Sequence, residues 1–489
     1  MEDEDAANLE SFLQWATELG ISDSNPSTTL SEEESRRSSC LGHSLVIAHF
    51  PDAGGRGLAA ARDIRKGELI LIVPKGVLMT SESFMMKDSK LSGSIKRHST
   101  LSSTQILSVA LLNEVNKGKS SWWYLYLKQL PRSYDILAGF NQFEIQALQM
   151  DDAIWVAERA AVKAKLEWEK ATKLMVELNF KPALLTLPAW LWASATISTR
   201  TMHIPWDDAG CLCPVGDFFN YAAPGDESCD FKTLGNCPEQ IELLDGRAER
   251  LVDAGYDGYR DAYCFYARRS YKEKEQVLLS YGMYTNLELL EHYGFLLNEN
   301  PNDKAFIPLE GDMYSLCPWP QELLYINQHG KPSFALLSTL RLWATPPNRR
   351  RSVGHIAYSG EQVSAENEIT VMAWIVKKCC DILENLNTTP QEDKLLLRTI
   401  DKIQHFLPVE TEKLPPTCIS ELRTFSESNG VTDLENFPKI CMSRKARKAI
   451  FRWRLAINWR YDYKRRLMNC ISYCNQIIDD IRCEHGSTM

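Results

Sequence analysis

Residues 278–295 read LLSYGMYTNLELLEHYGF, and several signals in this stretch predict local structure. The apolar run at 277–281 stops at a glycine and predicts a short buried strand. Thr285 and Glu288 stand three residues apart, as in a capping box, just before two leucines, and so predict the start of a helix. A later glycine supplies the left-handed stop. The stretch therefore predicts a strand, a turn and a capped helix, with the polar Tyr281 where the buried strand ends.

The size and composition of the chain limit what it can be. A chain of 489 residues is too long to fold around a single hydrophobic core, so two or three domains are expected. The acidic start MEDED lacks the basic residues of a secretory or organellar signal, and no apolar run approaches the roughly 18 residues of a membrane span. The 14 cysteines then favour reduced thiols. We expect a monomeric protein of the cytoplasm, the nucleus or both, without a membrane segment.

The net charge of −9 argues against general binding to nucleic acid and suits a basic, lysine-bearing protein partner. One run departs from this average, because residues 444–466 are rich in lysine and arginine. Such a run on a helix is usually a solvated face that offsets acidic neighbours. Direct nucleic-acid binding is therefore not expected.

Changes of pattern along the chain predict five segments. Residues 1–39 combine a short amphipathic helix with a linker rich in Ser and Glu, and residues 40–100 carry short β-like runs. Residues 101–188 switch to helical spacing, residues 189–305 return to short runs, and residues 306–489 are helical. The prediction is an α+β fold, with a mostly β core interrupted by a helical insert and followed by an all-helical C-terminal domain.

Individual elements follow from the same patterns. Strands are predicted at Leu45–Phe50 and Glu68–Val73, with glycine turn chemistry at Gly54–Gly57 between them. Within the helical insert, one apolar stripe predicts a long charged helix. The stripe consists of Trp155, Val162, Leu166, Leu174 and Leu178.

Four cysteines raise the question of a zinc site. Cys211 and Cys213 are separated by a single residue, and Cys229 and Cys237 follow them. Tetrahedral thiolate sites use CxxC-like pairs, and a Cys-x-Cys pair is tight for that geometry. No metal site is therefore expected.

Four segments, in chain order, carry a resemblance to one family. They are GRGLAAARDIRKGELI at 55–70, Trp192-Ala193-Ser194 with Thr199-Arg200, PVGDFFNY at 214–221, and the opening stretch from Ser280 to Phe295. Together they resemble the SET-domain protein methyltransferases of the Rubisco large-subunit methyltransferase-like class, which also contains the actin-histidine methyltransferase. The stretches at 365–369 and 387–393 are similar to the helical substrate-binding domain of that class. The resemblance covers roughly residues 40 to 470.

The resemblance implies a cofactor, a reaction and site residues. The cofactor would be S-adenosylmethionine, and its methyl group would pass to a side-chain nitrogen of a protein, with Tyr281 as the catalytic tyrosine. The implied cofactor contacts are Gly55, Arg56, Gly57, Leu58, Arg200, Asp217, Asn220 and Tyr221. Arg200 would pair with the methionyl carboxylate, although an ordinary ion pair is an alternative. Asp217 could equally be a structural carboxylate that accepts hydrogen bonds from loop amides.

Two features bear on the target and on activity. Tyr221 stands where the family usually has histidine, and a tyrosine can still stack on a purine. Met202 follows Arg200 by two residues, and its apolar side chain suits the aliphatic stem of an accessible lysine better than an imidazole. Tyr284 and Tyr293 would line the substrate channel or pack in the core. A lysine methyltransferase is thus predicted, with a histidine methyltransferase and a catalytically weak binding scaffold as alternatives.

Overall fold

The computed structural model of the chain divides into two compact units. The described residues are 2–24, 39–51, 55–223, 253–405, 414–430 and 443–486. The first unit comprises Met1–Gly139 and Ala160–Met283, and the second comprises Phe140–Arg159 and Tyr284–Met489. Within the described ranges, no helix has both the length and the apolar character that crossing a membrane requires. The segment boundaries inferred from sequence pattern stay predictions.

Helices and strands are numbered here in chain order. The described strands are β1 (Leu45–Phe50), β2 (Gly55–Ala60), β3 (Leu69–Pro74), β4 (Thr201–Ile204), β5 (Asp207–Leu212), β6 (Asn220–Tyr221), β7 (Ala254–Asp257), β8 (Ala262–Tyr266), β9 (Gln276–Leu279), β10 (Lys304–Phe306) and β11 (Tyr325–Asn327). The described helices are α1 (Glu2–Glu18), α2 (Ser81–Lys87), α3 (Ser89–Arg97), α4 (Ser103–Lys117), α5 (Tyr124–Leu127), α6 (Gln142–Gln146), α7 (Asp151–Glu177), α8 (Leu187–Arg200), α9 (Asn286–His292), α10 (Gly311–Tyr314), α11 (Phe334–Trp343), α12 (Arg350–Ser359), α13 (Ala365–Glu384), α14 (Pro390–Gln404), α15 (Pro416–Ser428) and α16 (Arg444–Gly486).

The first unit is built on small sheets. One sheet has the strand order β1-β2-β9-β6, another has the order β3-β8-β7, and β4 pairs with β5. Within the first sheet, β6 runs parallel to β9, with Asn220 opposite Leu278 and Tyr221 opposite Leu279. This pairing places two predicted cofactor residues beside the strand that leads into Tyr281.

The predicted strands hold, but the glycine turn between them does not. The strand predicted at 45–50 is confirmed as β1, and the one at 68–73 is confirmed as β3 within one residue. Gly54 lies outside the described residues, but the turn predicted over Gly55–Gly57 is wrong, because β2 begins at Gly55 and pairs with β1 and β9. A Cβ atom added at Gly57 would lie 2.6 Å from Asn220 Nδ2. The glycine therefore permits a close approach within a strand.

The strand, turn and capped helix predicted for 278–295 are confirmed. The Glu288 backbone N–H donates to Thr285 Oγ1 at 3.3 Å, and the Thr285 backbone N–H donates to the Glu288 carboxylate at 2.7 Å. These two bonds form the capping box at the start of α9. Gly294 has a φ of +78°, which is the left-handed conformation expected of a helix stop.

The long helix predicted in the insert is confirmed as α7, and three residues of its apolar stripe are exposed. Trp155, Val162 and Leu166 are 56, 59 and 51% exposed, whereas Leu174 and Leu178 are buried. The buried face instead carries small residues, namely Ala153, Ala157, Ala164 and Ala171. Alanine lets a helix pack closely while larger apolar residues stay on its outer side.

The second unit is helical apart from a two-stranded sheet, β10–β11. Its longest element is α16, a helix of 43 residues. Pro390 stands at the first position of α14, and Thr389 caps that helix by accepting from the Glu392 backbone N–H. Both α13 and α14 pack against α16. Capping residues thus set where these helices begin, and burial against α16 stabilises them.

The basic run of α16 is not the solvated face that the sequence predicts. Arg460 and Lys464 are fully buried, and both pair with Asp393, which is also fully buried. Arg460 additionally pairs with Glu421 at 2.9 Å, and Arg466 pairs with a buried aspartate of the same unit. A cation can be buried only when carboxylates and carbonyls compensate its desolvation. Part of the basic run is therefore structural.

Candidate active site

Tyr281 lies at the end of β9 with its hydroxyl hydrogen-bonded to backbone. The hydroxyl donates to the Phe219 carbonyl oxygen at 2.5 Å. Burial raises the pKa of Tyr281 well above its usual range, although the charge of Arg200 opposes the shift. The phenol therefore stays protonated at neutral pH. Because its proton points at a carbonyl, the oxygen acts toward other groups as an acceptor.

Tyr221 supports Tyr281 from the neighbouring strand. The two ring centroids are 5.2 Å apart, with a tilt of 41° between the ring planes. The Tyr221 hydroxyl donates to the Gly282 carbonyl oxygen at 2.8 Å. Tyr221 therefore contacts Tyr281 itself and fixes the backbone of the residue that follows it. This role needs a hydroxyl at the tip of an aromatic ring, which histidine cannot provide at the same reach.

Arg200, at the end of α8, forms an ion pair with Asp217. Its Nη1 lies 3.0 Å from Asp217 Oδ2 and also donates to the Asp217 carbonyl oxygen at 2.9 Å. The Tyr126 hydroxyl donates to the same Oδ2 at 2.9 Å. Burial alone would lower the pKa of Arg200, but Asp217 outweighs that effect and raises the pKa above its ordinary value. The guanidinium is therefore charged and fixed in place.

A cavity of about 530 Å³ in the first unit is bordered by several of these side chains. Its lining includes Arg56, Arg200, Asp217, Phe218 and Asn220. With Lys128 and Arg132, the lining carries four cations, against the two carboxylates of Asp217 and Asp5. The excess of positive charge favours a ligand that carries an anionic group.

The residues around the cavity fit a polar, zwitterionic ligand. Asp217 Oδ1 is buried and has no hydrogen-bond partner, so it can accept from a ligand N–H. On the adjoining strand, Asn220 Nδ2 donates to the Arg56 carbonyl oxygen at 3.4 Å, across the space that a side chain at Gly57 would fill. The amino-acid portion of a ligand carries a carboxylate, which suits the guanidinium groups of the lining, and an amino group, which suits the Asp217 carboxylate. The carboxylate and the amino group of such a ligand would therefore each have a complementary side chain in the lining.

The stretch Gly55–Leu58 contributes differently from its prediction as a loop. The Arg56 side chain donates to Gln129 Oε1 at 2.8 Å and to the Gln129 carbonyl oxygen at 2.7 Å. Its guanidinium lies 4.1 Å from the ring centroid of Phe218, and burial lowers its pKa. Leu58 is fully buried and is not among the described residues that line the cavity. Arg56 thus faces the cavity, while Leu58 belongs to the core.

The three predicted substrate residues fall in different parts of the chain. Met202 lies on β4 opposite Cys211 and packs against the core, and it is not one of the described lining residues. Tyr284 and Tyr293 belong to the second unit, where their ring centroids are 5.5 Å apart. Both tyrosines are half-buried. The roles assigned to these three residues stay predictions.

Sequence reasoning missed two members of the site, Tyr126 and Gln129. Tyr126 is fully buried in α5, and its hydroxyl donates to Asp217. Gln129 accepts hydrogen bonds from the Arg56 guanidinium. Both lie in the predicted helical insert, within the sequence WWYLYLKQL. A run of aromatic and aliphatic residues is normally core, so nothing in this pattern distinguishes Tyr126 from its neighbours.

The cysteines do not form a described metal site. Cys211 and Cys213 are fully buried, and burial raises the pKa of both thiols well above the usual range. Thiols of this kind resist conversion to the thiolate that binds metals. Among the residues that the structure describes, no group of three or more His, Cys, Asp or Glu side chains could hold an ion. Cys229 and Cys237 lie outside the described residues.

Comparison with known proteins identifies the family. The SET domain model matches residues 55–282, and the Rubisco LSMT substrate-binding model matches residues 267–405. The chain is 52% identical over 481 residues to Protein SET DOMAIN GROUP 40 of Arabidopsis thaliana, which covers 97% of this chain and 96% of that protein. The chain belongs to the SET-domain family. This family membership confirms the resemblance inferred from the four segments.

More distant relatives and solved structures agree on the fold of this SET-domain chain. It is 26% identical over 403 residues to the actin-histidine N-methyltransferase of Danio rerio, with 76% of this chain and 62% of that protein covered. The structure of Rubisco LSMT bound to AdoMet has a TM-score of 0.55 at 18% identity, and covers 97% of this chain and 93% of that chain. The SET domain of LSMT bound to lysine and AdoHcy has a TM-score of 0.56 at 17% identity, and covers 97% of this chain and 92% of that chain. The predicted SET core followed by a helical domain is confirmed.

Proposed function

We propose that this chain is an S-adenosylmethionine-dependent methyltransferase that methylates a lysine side-chain nitrogen of a protein. The observation that carries the proposal is the Tyr281 hydroxyl, held by the Phe219 carbonyl at 2.5 Å beside the strand that bears Asn220 and Tyr221. When bound, the cofactor supplies an electron-poor methyl group on a sulfonium sulfur. The target protein supplies the nitrogen that accepts this methyl group, and side chains of this chain bind and align the two reactants.

The cavity residues would bind and orient the cofactor. Arg200, fixed by Asp217 and by Tyr134 at 3.3 Å, and Arg56 would attract its carboxylate. The unpartnered Oδ1 of Asp217 would accept from its amino group. Arg200 and Asp217 would thus serve both of the roles left open by the sequence, since the ion pair between them fixes the groups that face the ligand. Fixed charges of this kind cost little reorganisation when the reaction occurs.

The protonation state of Tyr281 decides what it can do. Burial raises the pKa of Tyr281, so the phenol is not a general base at neutral pH. Its oxygen instead accepts weak C–H contacts from a methyl group or an N–H bond from the target nitrogen. The target lysine must arrive neutral, and a desolvated channel favours that by lowering the lysine pKa. The rate would then depend mainly on the alignment of two reactants.

Separate observations bear on the nature of the target. A protein substrate is supported by the match to the Rubisco LSMT substrate-binding model. Lysine is supported by a structural neighbour solved with lysine bound. Histidine is supported by the actin-histidine N-methyltransferases, at 25 to 26% identity. We propose lysine and retain histidine as the second candidate.

Labelling of a protein substrate tests the function. Incubation with radiolabelled cofactor and cell extract should label a protein band, and Tyr281→Phe should lose most of the label. Tyr259→Phe is the matched control, because Tyr259 is fully exposed. Amino-acid analysis of the band separates methyl-lysine from methyl-histidine. No label from any extract, together with no cofactor binding by calorimetry, would contradict the proposal, and effects on partners that survive Tyr281→Phe would favour a binding scaffold.

A further inference from the structure

The N-terminal helix α1 packs directly behind the candidate site. Phe12 is fully buried, with its ring centroid 6.1 Å from that of Tyr126 and 5.7 Å from that of Phe218. Trp15, one turn further on, contacts Trp122 at 5.5 Å. All of these residues belong to the first unit. The helix is therefore anchored to the two aromatic side chains that stand next to Arg200, Asp217 and Arg56, although it precedes the SET match at 55–282.

The first turns of α1 also line the cavity. Asp5, Ala6, Asn8 and Leu9 all border it. The Asn8 carbonyl oxygen accepts from Gln129 Nε2 at 3.2 Å, and Gln129 in turn receives the Arg56 guanidinium. A chain of hydrogen bonds thus runs from α1 to the strand that the family model does include. The helix forms one wall of the cavity rather than a separate appendage.

The charges of the lining single out Asp5. Of the two carboxylates there, Asp217 is held by Arg200 and Tyr126 through Oδ2. Asp5 has a weaker contact, an ion pair at 3.6 Å with Arg132, and both side chains are largely exposed. Such a pair contributes little and is easily exchanged for another partner. Asp5 is therefore the acidic group that can turn to a ligand.

We propose that α1 is part of the cofactor site and that the Asp5 carboxylate accepts hydrogen bonds from the ribose hydroxyls of a bound adenosyl ligand. Each polar group of such a ligand has a complementary side chain in the lining. The arginines suit the carboxylate and Asp217 Oδ1 suits the amino group, so the ribose diol is left to the remaining acidic side chain. A carboxylate is a suitable acceptor for ribose hydroxyls, as the acidic residue that binds the ribose 2′-hydroxyl in dinucleotide-binding folds shows. The inference rests on the proposed function, since it needs the cavity to bind this ligand.

Calorimetry with S-adenosylhomocysteine tests the proposal without requiring catalysis. Asp5→Ala should weaken binding about tenfold, because it removes hydrogen bonds to a charged acceptor. Glu10→Ala is the matched control, since Glu10 is an exposed carboxylate on the same helix. With the 2′-deoxy analogue of the ligand, the difference in affinity between Asp5→Ala and the unaltered chain should become smaller. This is expected if the Asp5 carboxylate and the 2′-hydroxyl interact, because the analogue has already lost that contact.

Hydrogen exchange gives a second readout that needs no variant. Amides of residues 5–9 should become more protected when S-adenosylhomocysteine is added to the full chain. If the unaltered chain binds the ligand but Asp5→Ala binds equally well and these amides do not respond, the role of α1 is overturned and the proposed function stands. If the unaltered chain binds no ligand, both are overturned. A loss in Asp5→Ala that Glu10→Ala reproduces would also overturn the proposal.

Discussion

Replacing Tyr221 by phenylalanine separates two roles that this residue could have. The Tyr221 hydroxyl donates to the Gly282 carbonyl oxygen at 2.8 Å, and the ring lies 5.2 Å from that of Tyr281. Phenylalanine keeps the ring contact and removes only the hydrogen bond, whose net contribution is about 1 kcal/mol. If that free energy holds the Tyr281 hydroxyl in its reactive position, its loss slows methyl transfer about fivefold.

The assay is single-turnover methyl transfer at saturating cofactor, paired with calorimetric binding of S-adenosylhomocysteine. Tyr221→Phe should transfer the methyl group about fivefold more slowly, with unchanged affinity for the ligand. Tyr281→Phe should lose most of the activity, and the exposed Tyr259→Phe should lose none. A weaker ligand affinity at unchanged rate would refute the positioning role, because it would mean that Tyr221 contacts the cofactor itself. An unchanged rate and affinity would refute both roles.

Two further substitutions test the close approach in β2 and the buried charges of α16. Gly57→Ala should weaken cofactor binding while the chain still folds, because its Cβ would lie 2.6 Å from Asn220 Nδ2; Gly76→Ala, with open space around it, is the calorimetric control. Asp393→Ala should lower the free energy of unfolding by about 3–5 kcal/mol in urea titrations, since it leaves two buried cations of α16 with fewer partners. A loss below about 1 kcal/mol would contradict that account.

Local signals in the sequence predicted local structure well. The capping box of Thr285 and Glu288 and the glycine stop at Gly294 are physical devices confined to a few neighbouring residues, and all are present. The predicted strand β1 has the same bounds in the structure. The helix cap and the helix stop depend on backbone hydrogen bonds that one short segment satisfies by itself, whereas β1 is predicted by its apolar and β-branched composition.

Features that depend on distant partners were not predictable from pattern. Gly57 resembles a turn glycine until the Asn220 side chain is placed beside it. Arg460 resembles a solvated charge until Asp393 and Glu421 surround it. Tyr126 resembles an ordinary core residue until its hydroxyl meets Asp217. In each case the deciding neighbour is far away in sequence, and only the fold brings it close.

The parallel pairing of β6 with β9 has a consequence for how this protein can vary. Asn220 and Tyr221 meet Leu278 and Leu279 only after the intervening chain has closed into a loop. The entropic cost of closing a loop grows slowly, by about 0.6 kcal/mol for each doubling of its length. Insertions between the two strands, outside β7 and β8, are therefore cheap as long as both ends keep their register. A shift of one residue in β6 would instead exchange the side chains that face Tyr281, so the alignment of the two strands is more tightly constrained than the length of the chain that joins them.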